Sequence, residues 1–142
     1  MRISARNVLA GQVERVVKGA VNAEVDLRLV GGEKIAAVIT NASVDALKLS
    51  AGGTALAIIK ASNVMVGKGL EGARLSARNV LDGTVSGIQE GAVNSEVTIR
   101  LPGGTAVVAS ITRASVAALA LQPGDAVSAI IKASNVMVGV DN

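Results

Sequence analysis

The sequence predicts an all-β protein made of two tandem OB-like five-stranded barrels, each with one short helix. The first observation is a repeat: residues 2–67 return as residues 74–139 without a gap, and 40 of the 66 aligned positions are identical. The second is the alternation of apolar and polar side chains over short segments that end at glycines, which is typical of half-buried strands. The third is one segment per copy that follows a threonine and has helical spacing, which predicts a helix between the third and fourth strands.

The first three strands of copy one follow from this alternation. Residues 7–17 form the predicted first strand, with Gly11 as a bulge or bend. Residues 21–29 alternate most clearly, and the Gly-Gly pair at residues 31–32 predicts a turn into a third strand at residues 34–39. These segments therefore predict a strand followed by a hairpin.

The helix and the last two strands follow in order. Thr40 is predicted to cap a short helix whose Val44 and Leu47 face the core. Residues 54–60 then form the fourth strand, and residues 64–66 form a short fifth strand.

The second copy repeats this plan. Thr112 is predicted to cap its helix, which ends at the Pro-Gly pair of residues 123–124. We therefore predict a first domain at residues 1–68, a Gly-rich linker at residues 69–72 and a second domain at residues 73–142.

The absence of histidine, cysteine and aromatic residues limits the possible functions. Without His and Cys the commonest general base and the strongest nucleophile are missing, so we expect no enzyme. Disulfides and imidazole or thiolate metal sites are excluded, so we expect neither a metal-cation site nor a cofactor. Small aliphatic side chains give a domain of roughly 70 residues a modest core, which predicts oligomerisation.

The charge is distributed unevenly, although the formal net charge is +3. Residues 1–67 hold eight Lys/Arg and five Asp/Glu, whereas residues 68–142 hold six of each, so no general basic surface is expected. OB-folds bind single-stranded nucleic acid by aromatic stacking over a basic groove, so no nucleic-acid partner is expected here. No apolar run approaches the roughly 20 residues of a membrane span, and no signal peptide is visible. We expect no membrane partner and a cytoplasmic location.

Each copy repeats one set of hydrogen-bond donors that suits an anion. The set contains an Arg in a Ser-x-Arg phrase, a Lys at a strand end and a Thr-x-x-Ser pair at the helix start. An Arg and a Lys together match the charge of a tetrahedral dianion, whereas an unpaired buried charge is costly. Helix capping by Thr40 and ordinary surface exposure of the cations remain open as simpler explanations. Glu24 and Glu96 also recur, and we interpret them as members of solvated strand faces.

Four phrases that carry these donors resemble the molbindin family, the small Mop-type molybdate-binding proteins, here as a tandem pair. They are Ser-Ala-Arg-Asn near each start, Gly-Ala-Val-Asn-(Ala/Ser)-Glu-Val in the middle, Ile-Thr-x-Ala-Ser before the helix, and Lys-Ala-Ser-Asn-Val-Met-Val-Gly at the end. The resemblance covers nearly the whole chain. It implies an OB-like fold, a molybdate or tungstate ligand held at interfaces between domains, and a homotrimer that contains six domains.

The resemblance also implies the residues of two kinds of site. In related domains the Ser and Arg come from one domain, and the Thr, Ser and Lys, with the N–H after the Lys, come from a neighbour. The implied Arg/Lys sets are Ser4, Arg6, Thr40, Ser43, Lys60 and Ala61, and Ser76, Arg78, Thr112, Ser115, Lys132 and Ala133. The implied axial sites, near the symmetry axis, are lined by Val21, Asn22, Val93 and Asn94.

The leading hypothesis is therefore a protein that binds molybdate, and tungstate, for molybdenum storage and homeostasis. A regulatory module whose ligand-bound form is read by a partner protein is the alternative from another class. An OB-type nucleic-acid binder is the least favoured.

Overall fold

The computed structural model describes residues 1–141 and consists of ten β-strands, two short α-helices and two 3₁₀ turns. In the first repeat the elements are β1 (Asn7–Lys18), β2 (Asn22–Leu29), β3 (Lys34–Thr40), α1 (Asn41–Ala46), β4 (Thr54–Ile59), a 3₁₀ turn (Ala61–Asn63) and β5 (Met65–Gly67). In the second they are β6 (Asn79–Glu90), β7 (Asn94–Arg100), β8 (Ala106–Thr112), α2 (Arg113–Ala118), β9 (Ala126–Ile131), a 3₁₀ turn (Ala133–Asn135) and β10 (Met137–Gly139). The predicted all-β class with one short α-helix per repeat is confirmed.

The two five-stranded sheets exchange their last strands. One sheet has the order β10-β4-β1-β2-β3, and the other has the order β5-β9-β6-β7-β8, with antiparallel pairing throughout. Met65 of the first repeat pairs with Ile130 in the second sheet, and Met137 pairs with Ile58 in the first. The sequence units at residues 1–68 and 73–142 therefore do not coincide with the two sheets.

The 3₁₀ turns redirect the chain into this exchange. The turn at Ala61–Asn63 packs against β8, and the turn at Ala133–Asn135 packs against β3. Each turn therefore leads its following strand to the sheet of the other repeat. The apolar core reflects the same arrangement, because one cluster of buried residues includes Ile59 and Leu27 as well as Ile131 and Ile99.

The irregularity in the first strand lies three residues beyond the predicted place. Gly11 is in register with Leu29, and the register shift falls between Val13 and Arg15. Gly11 is instead a point of close approach, since a Cβ there would lie 2.5 Å from the carbonyl oxygen of Arg28. The predicted bulge at Gly11 is wrong, and the physical need for glycine at this position is contact with the next strand.

Candidate functional site

The first and fourth strands of each repeat place an arginine and a lysine just beyond one end of their shared ladder. Asn7 pairs with Ile59 as the last pair of the β1–β4 ladder, so Arg6 and Lys60 are the next positions outward on the two strands. The same geometry recurs in the second repeat, where Asn79 pairs with Ile131. Arg78 and Lys132 follow there in the same way. The resemblance implied that the Arg and Lys of one site come from different domains, and that assignment stays a prediction.

Two buried asparagines fasten these strand ends to the other repeat. Asn7 donates from Nδ2 to the carbonyl of Val108 at 2.8 Å, and the N–H of Val108 donates back to Asn7 Oδ1 at 2.8 Å. Asn79 makes the equivalent pair of 2.8 Å bonds with Ala36. Each amide thus imitates a ladder partner and covers an edge strand, β8 or β3. Sequence reasoning missed this role, because a polar residue after an arginine gives no sign of burial.

Each arginine reaches across to a glutamate of the other repeat. Arg6 Nη1 pairs with Glu96 Oε2, and Arg78 Nη1 pairs with Glu24 Oε1. Both glutamates are only partly exposed, with 34% of the Glu96 side chain and 23% of the Glu24 side chain accessible. Both carboxylates thus remain partly solvated, as expected for a polar strand face, and each is also ion-paired, which was not predicted. The signal that could have found them is their recurrence, which tracks the recurrence of the arginines.

The Arg6 side chain lies over the outer face of β7 and β8. It lines a cleft of about 440 Å³ together with Asn94, Glu96 and Ser110 of the second repeat. Because Asn94 pairs with Thr112, and Glu96 pairs with Ser110, this cleft borders the strand end where α2 begins. Within one chain, the strands beneath Arg6 thus lead to the cap of the other repeat.

Arg78 lines a cleft of similar size, about 450 Å³, on the first repeat. Its neighbours there include Arg15, Lys34, Glu14 and Asp26. Three cations and two carboxylates line this cleft, and Glu24, which pairs with Arg78, balances the third cation, whereas carboxylates outnumber cations in the cleft at Arg6. A larger cleft of about 490 Å³ beside β1 and β4 holds none of the predicted donors.

The predicted Thr-x-x-Ser caps are present in both repeats. The Ser43 N–H donates to Thr40 Oγ1 at 3.1 Å, and the two hydroxyls lie 2.8 Å apart. Thr112 and Ser115 repeat both distances. The hydroxyls are thus grouped at the start of α1 and of α2, and the prediction that Thr40 and Thr112 cap helices is confirmed.

The four residues predicted for axial sites lie beside these caps. Asn22 pairs with Thr40 and Asn94 with Thr112 at the ends of their ladders. Val21 and Val93 precede them and are 70% and 73% exposed, an unusual state for valine. The structure therefore places all four beside the cap hydroxyls, and Asn94 also lines the cleft at Arg6.

The remaining predicted residues lie next to the Arg–Lys ends. Lys60 and Lys132 are exposed and make no ion pair with another residue of the described chain. Ala61 and Ala133, which follow them, are buried and begin the 3₁₀ turns, where the first N–H groups lack helical partners. The hydroxyls of Ser4 and Ser76 lie on exposed residues two positions before each arginine.

One carboxylate outside the clefts has a perturbed pKa. The N–H of Gln122 donates to Asp125 Oδ2 at 2.9 Å, and Lys68 Nζ donates to the same oxygen at 3.1 Å. These bonds, the one from Gln122 first, hold the pKa of Asp125 below its usual range. Lys68 also donates to the carbonyls of Leu119 and Ala120 at the end of α2, both at 3.2 Å.

Comparison with known proteins identifies both repeats. The TOBE domain model matches residues 3–66 and again residues 75–138. A crystal structure of the cytoplasmic molybdate-binding protein ModG, with molybdate bound, is 52% identical, and the two structures superpose with a TM-score of 0.96 over 99% of this chain and all of that one.

Two curated relatives match almost the whole chain. The molybdenum transport protein ModE of Herbaspirillum seropedicae is 41% identical over 140 residues, which are 99% of this chain and 52% of that protein. The molybdenum-pterin-binding protein MopA of Rhodobacter capsulatus is 43% identical over 140 residues, again 99% of this chain and 53% of that protein. This chain thus spans about half the length of both relatives. No helix within residues 1–141 is long and apolar enough to cross a membrane.

Proposed function

Because the chain belongs to the molbindin family of TOBE-domain proteins, in its tandem two-domain form, we propose that it binds the molybdate oxyanion. The single observation that supports this most is the alignment of Arg6 with Lys60, and of Arg78 with Lys132, at the open ends of two ladders. Two cations at one strand end match the charge of a tetrahedral dianion. The bound molybdate of ModG, at 52% identity over the full length, supports the same ligand.

Each Arg/Lys site combines a cationic strand end with cap hydroxyls from a different repeat. The cations hold the anion by charge-assisted hydrogen bonds, and the N–H of Ala61 or Ala133 adds a neutral donor. The position of Arg6 above the strands that lead to Thr112 supports a cap from the other repeat. The donors of the two sites are Ser4, Arg6, Lys60 and Ala61, and Ser76, Arg78, Lys132 and Ala133, completed by the caps Thr40 with Ser43 and Thr112 with Ser115.

The protein acts in this proposal as a cytoplasmic store of molybdate, and of tungstate, within a homotrimer of six domains. The exposed Val21 and Val93 support burial against neighbouring chains, where with Asn22 and Asn94 they line the axial sites. An anion bound between domains stabilises the assembly, since a ligand that binds the native state alone adds RT ln(1 + [L]/Kd) per site. No chemistry is performed on the anion.

Isothermal titration of the anion-free protein with molybdate, tungstate and sulfate tests this proposal. We expect tight binding of molybdate and tungstate and a much weaker response to sulfate, because charge and shape are alike and only cavity size separates them. More than two anions per chain would indicate that the axial sites fill as well. Absence of heat with molybdate, together with an unchanged melting temperature, would refute the proposal.

A regulatory module is the second candidate. It is favoured by the length of the two relatives, in which the matched pair of repeats makes up about half of the protein. In this case a partner or a further segment reads the anion-bound state. A pull-down with and without molybdate separates the candidates, because a store has no partner whose retention depends on the anion.

A further inference from the structure

The arginine of each Ser-x-Arg phrase is already paired with a carboxylate of the other repeat. Arg6 pairs with Glu96, and Arg78 pairs with Glu24. The two pairs are equivalent by the repeat, because Arg6 aligns with Arg78 and Glu24 aligns with Glu96. The positions around them differ, since Ser110 of one cleft aligns with Val38 of the first repeat. The ion pair is thus retained where its surroundings are not.

We propose that Glu24 and Glu96 are internal competitors for the oxyanion sites. In the anion-free protein each carboxylate is ion-paired with the guanidinium that the oxyanion requires. The incoming anion displaces the carboxylate from the guanidinium. The two glutamates thereby set the anion concentration at which the sites fill. This inference rests on the proposed function and adds residues that regulate the same sites.

The strength of the pairs is suited to displacement. The arginine side chains are 54% and 57% exposed, so solvent screens both pairs. Exposed ion pairs change an equilibrium constant by about one-and-a-half- to fivefold. A tetrahedral dianion has twice the charge of a carboxylate, and it also gains Lys60 or Lys132. The anion therefore wins the competition at sufficient concentration, whereas a strong buried pair would block it.

An internal competitor affects all anions by the same factor. Breaking the Arg–Glu pair costs the same free energy whichever anion replaces it, so the ratio of molybdate to sulfate affinity does not change. The apparent affinities for molybdate and for sulfate fall by the same factor. A weak ligand such as sulfate then stays unbound at concentrations where a tight ligand fills the site.

Titration of the full chain carrying Glu24→Gln and Glu96→Gln tests the proposal. Glutamine keeps the shape and removes both the competing charge and its repulsion of a dianion. We expect molybdate and sulfate each to bind about three- to tenfold more tightly than to the wild type. Glu71→Gln in the linker is the matched control, because Glu71 makes no ion pair with another residue of the described chain, and the affinity of this variant should equal that of the wild type. Unchanged or weaker binding by the double variant would overturn the proposal.

A second measurement separates this inference from the proposed function. A double-mutant cycle of Arg6→Ala and Glu96→Gln on urea unfolding, without any anion, reports the pair directly. We expect a coupling of about one-and-a-half- to fivefold in the unfolding constant. If the wild type does not bind molybdate, the proposed function is rejected but the ion pair is not tested by that result. If the coupling energy is zero, the competitor role of the glutamates is rejected even when molybdate binds.

Discussion

The clefts at Arg6 and Arg78 share their central donors but differ in the charge around them. Arg6 is accompanied in its cleft by Glu90 and Glu96, so carboxylates outnumber cations there. Around Arg78, the cations Arg15 and Lys34 are matched by two carboxylates, and Glu24 pairs with Arg78 itself, so the charges there balance. The residues proposed to touch the anion are therefore the same in both repeats, whereas the charges that surround them differ. Two sites of one design are therefore expected to differ in affinity.

The two exchanged strands, β5 and β10, also differ in the charged residues near them. Behind β5, Lys68 reaches the carbonyls of Leu119 and Ala120, just after α2, and the carboxylate of Asp125. The aligned positions for β10 hold Val140 and Gly53, which offer neither charge. The β5 crossing is thus fastened by hydrogen-bonded charges, whereas after β10 the carboxylate of Asp141 approaches the N-terminal ammonium of Met1 only to 3.9 Å.

The largest expected effect is the loss of an inter-repeat asparagine. Asn79→Ala leaves the N–H and C=O of the buried Ala36 without partners, and each such group costs about 1–3 kcal/mol. Asn7→Ala exposes the same groups of the half-buried Val108, where water can reach them. We expect a loss of about 3 kcal/mol for Asn79→Ala and about 2 kcal/mol for Asn7→Ala, measured by urea unfolding. Equal small losses would show that neither amide fastens the repeats.

Replacing one arginine at a time separates the contributions of the two clefts to anion binding. Each guanidinium supplies charged hydrogen bonds worth about 1.5–3 kcal/mol, so Arg6→Ala and Arg78→Ala should each weaken one class of site by more than about tenfold. The more positive cleft should be lost in Arg78→Ala, which leaves the weaker class behind. Calorimetric titration of both variants checks this. A single affinity class, reduced alike in both variants, would contradict the asymmetry.

Raising the ionic strength should make the affinities of the two classes of site more alike. The extra cations act through solvent, and the Debye length falls from about 30 Å at 0.01 M salt to about 10 Å at 0.1 M. We expect wild-type affinities that differ several-fold at 0.01 M salt and converge at 0.5 M, measured by titration with chloride as the added anion. A constant ratio would assign the difference to contacts rather than to the field.

Lys68→Ala should reduce the protection of the β5 amides from hydrogen exchange toward that of the β10 amides. A cation at a helix C-terminus contributes about 0.3–1 kcal/mol, and partial exposure of Lys68 keeps the value in this range. In the wild type the amides of β5 should exchange with deuterium more slowly than those of β10, and the variant should reduce that difference. Exchange rates that are equal before and after the substitution would mean that Lys68 does not fasten the crossing.

The smallest effect concerns Asp125 and pH. Its pKa is lowered in the folded protein, chiefly by the N–H of Gln122, so its stabilising contribution is present above the ordinary Asp pKa of about 3.9 and is lost as the pH falls through the folded pKa. Asp125→Asn should therefore lower the urea midpoint slightly at pH 7 and by less at pH 2. The same difference at both pH values would contradict this linkage.

The sequence predicted the features that local patterns determine. Alternation gave the strands, and Thr40 and Thr112 marked the starts of both helices, because capping depends on neighbouring residues. The exchange of β5 and β10 was not predictable, since Met65-Val66-Gly67 and Met137-Val138-Gly139 are identical and carry no information about their destination. The pairs Arg6–Glu96 and Arg78–Glu24 span 90 and 54 residues, so no local pattern reports them either.

Anomalous diffraction above the molybdenum absorption edge, from crystals grown with molybdate, tests the central claim most directly. We expect one molybdenum peak whose surrounding oxygens accept hydrogen bonds from Arg6 and Lys60, and another served by Arg78 and Lys132. Each anion should also touch a Thr–Ser cap from a different repeat, with Glu96 and Glu24 displaced. Peaks that leave both arginines paired with their glutamates, or that contact a cap and cations of one repeat only, would contradict the claim.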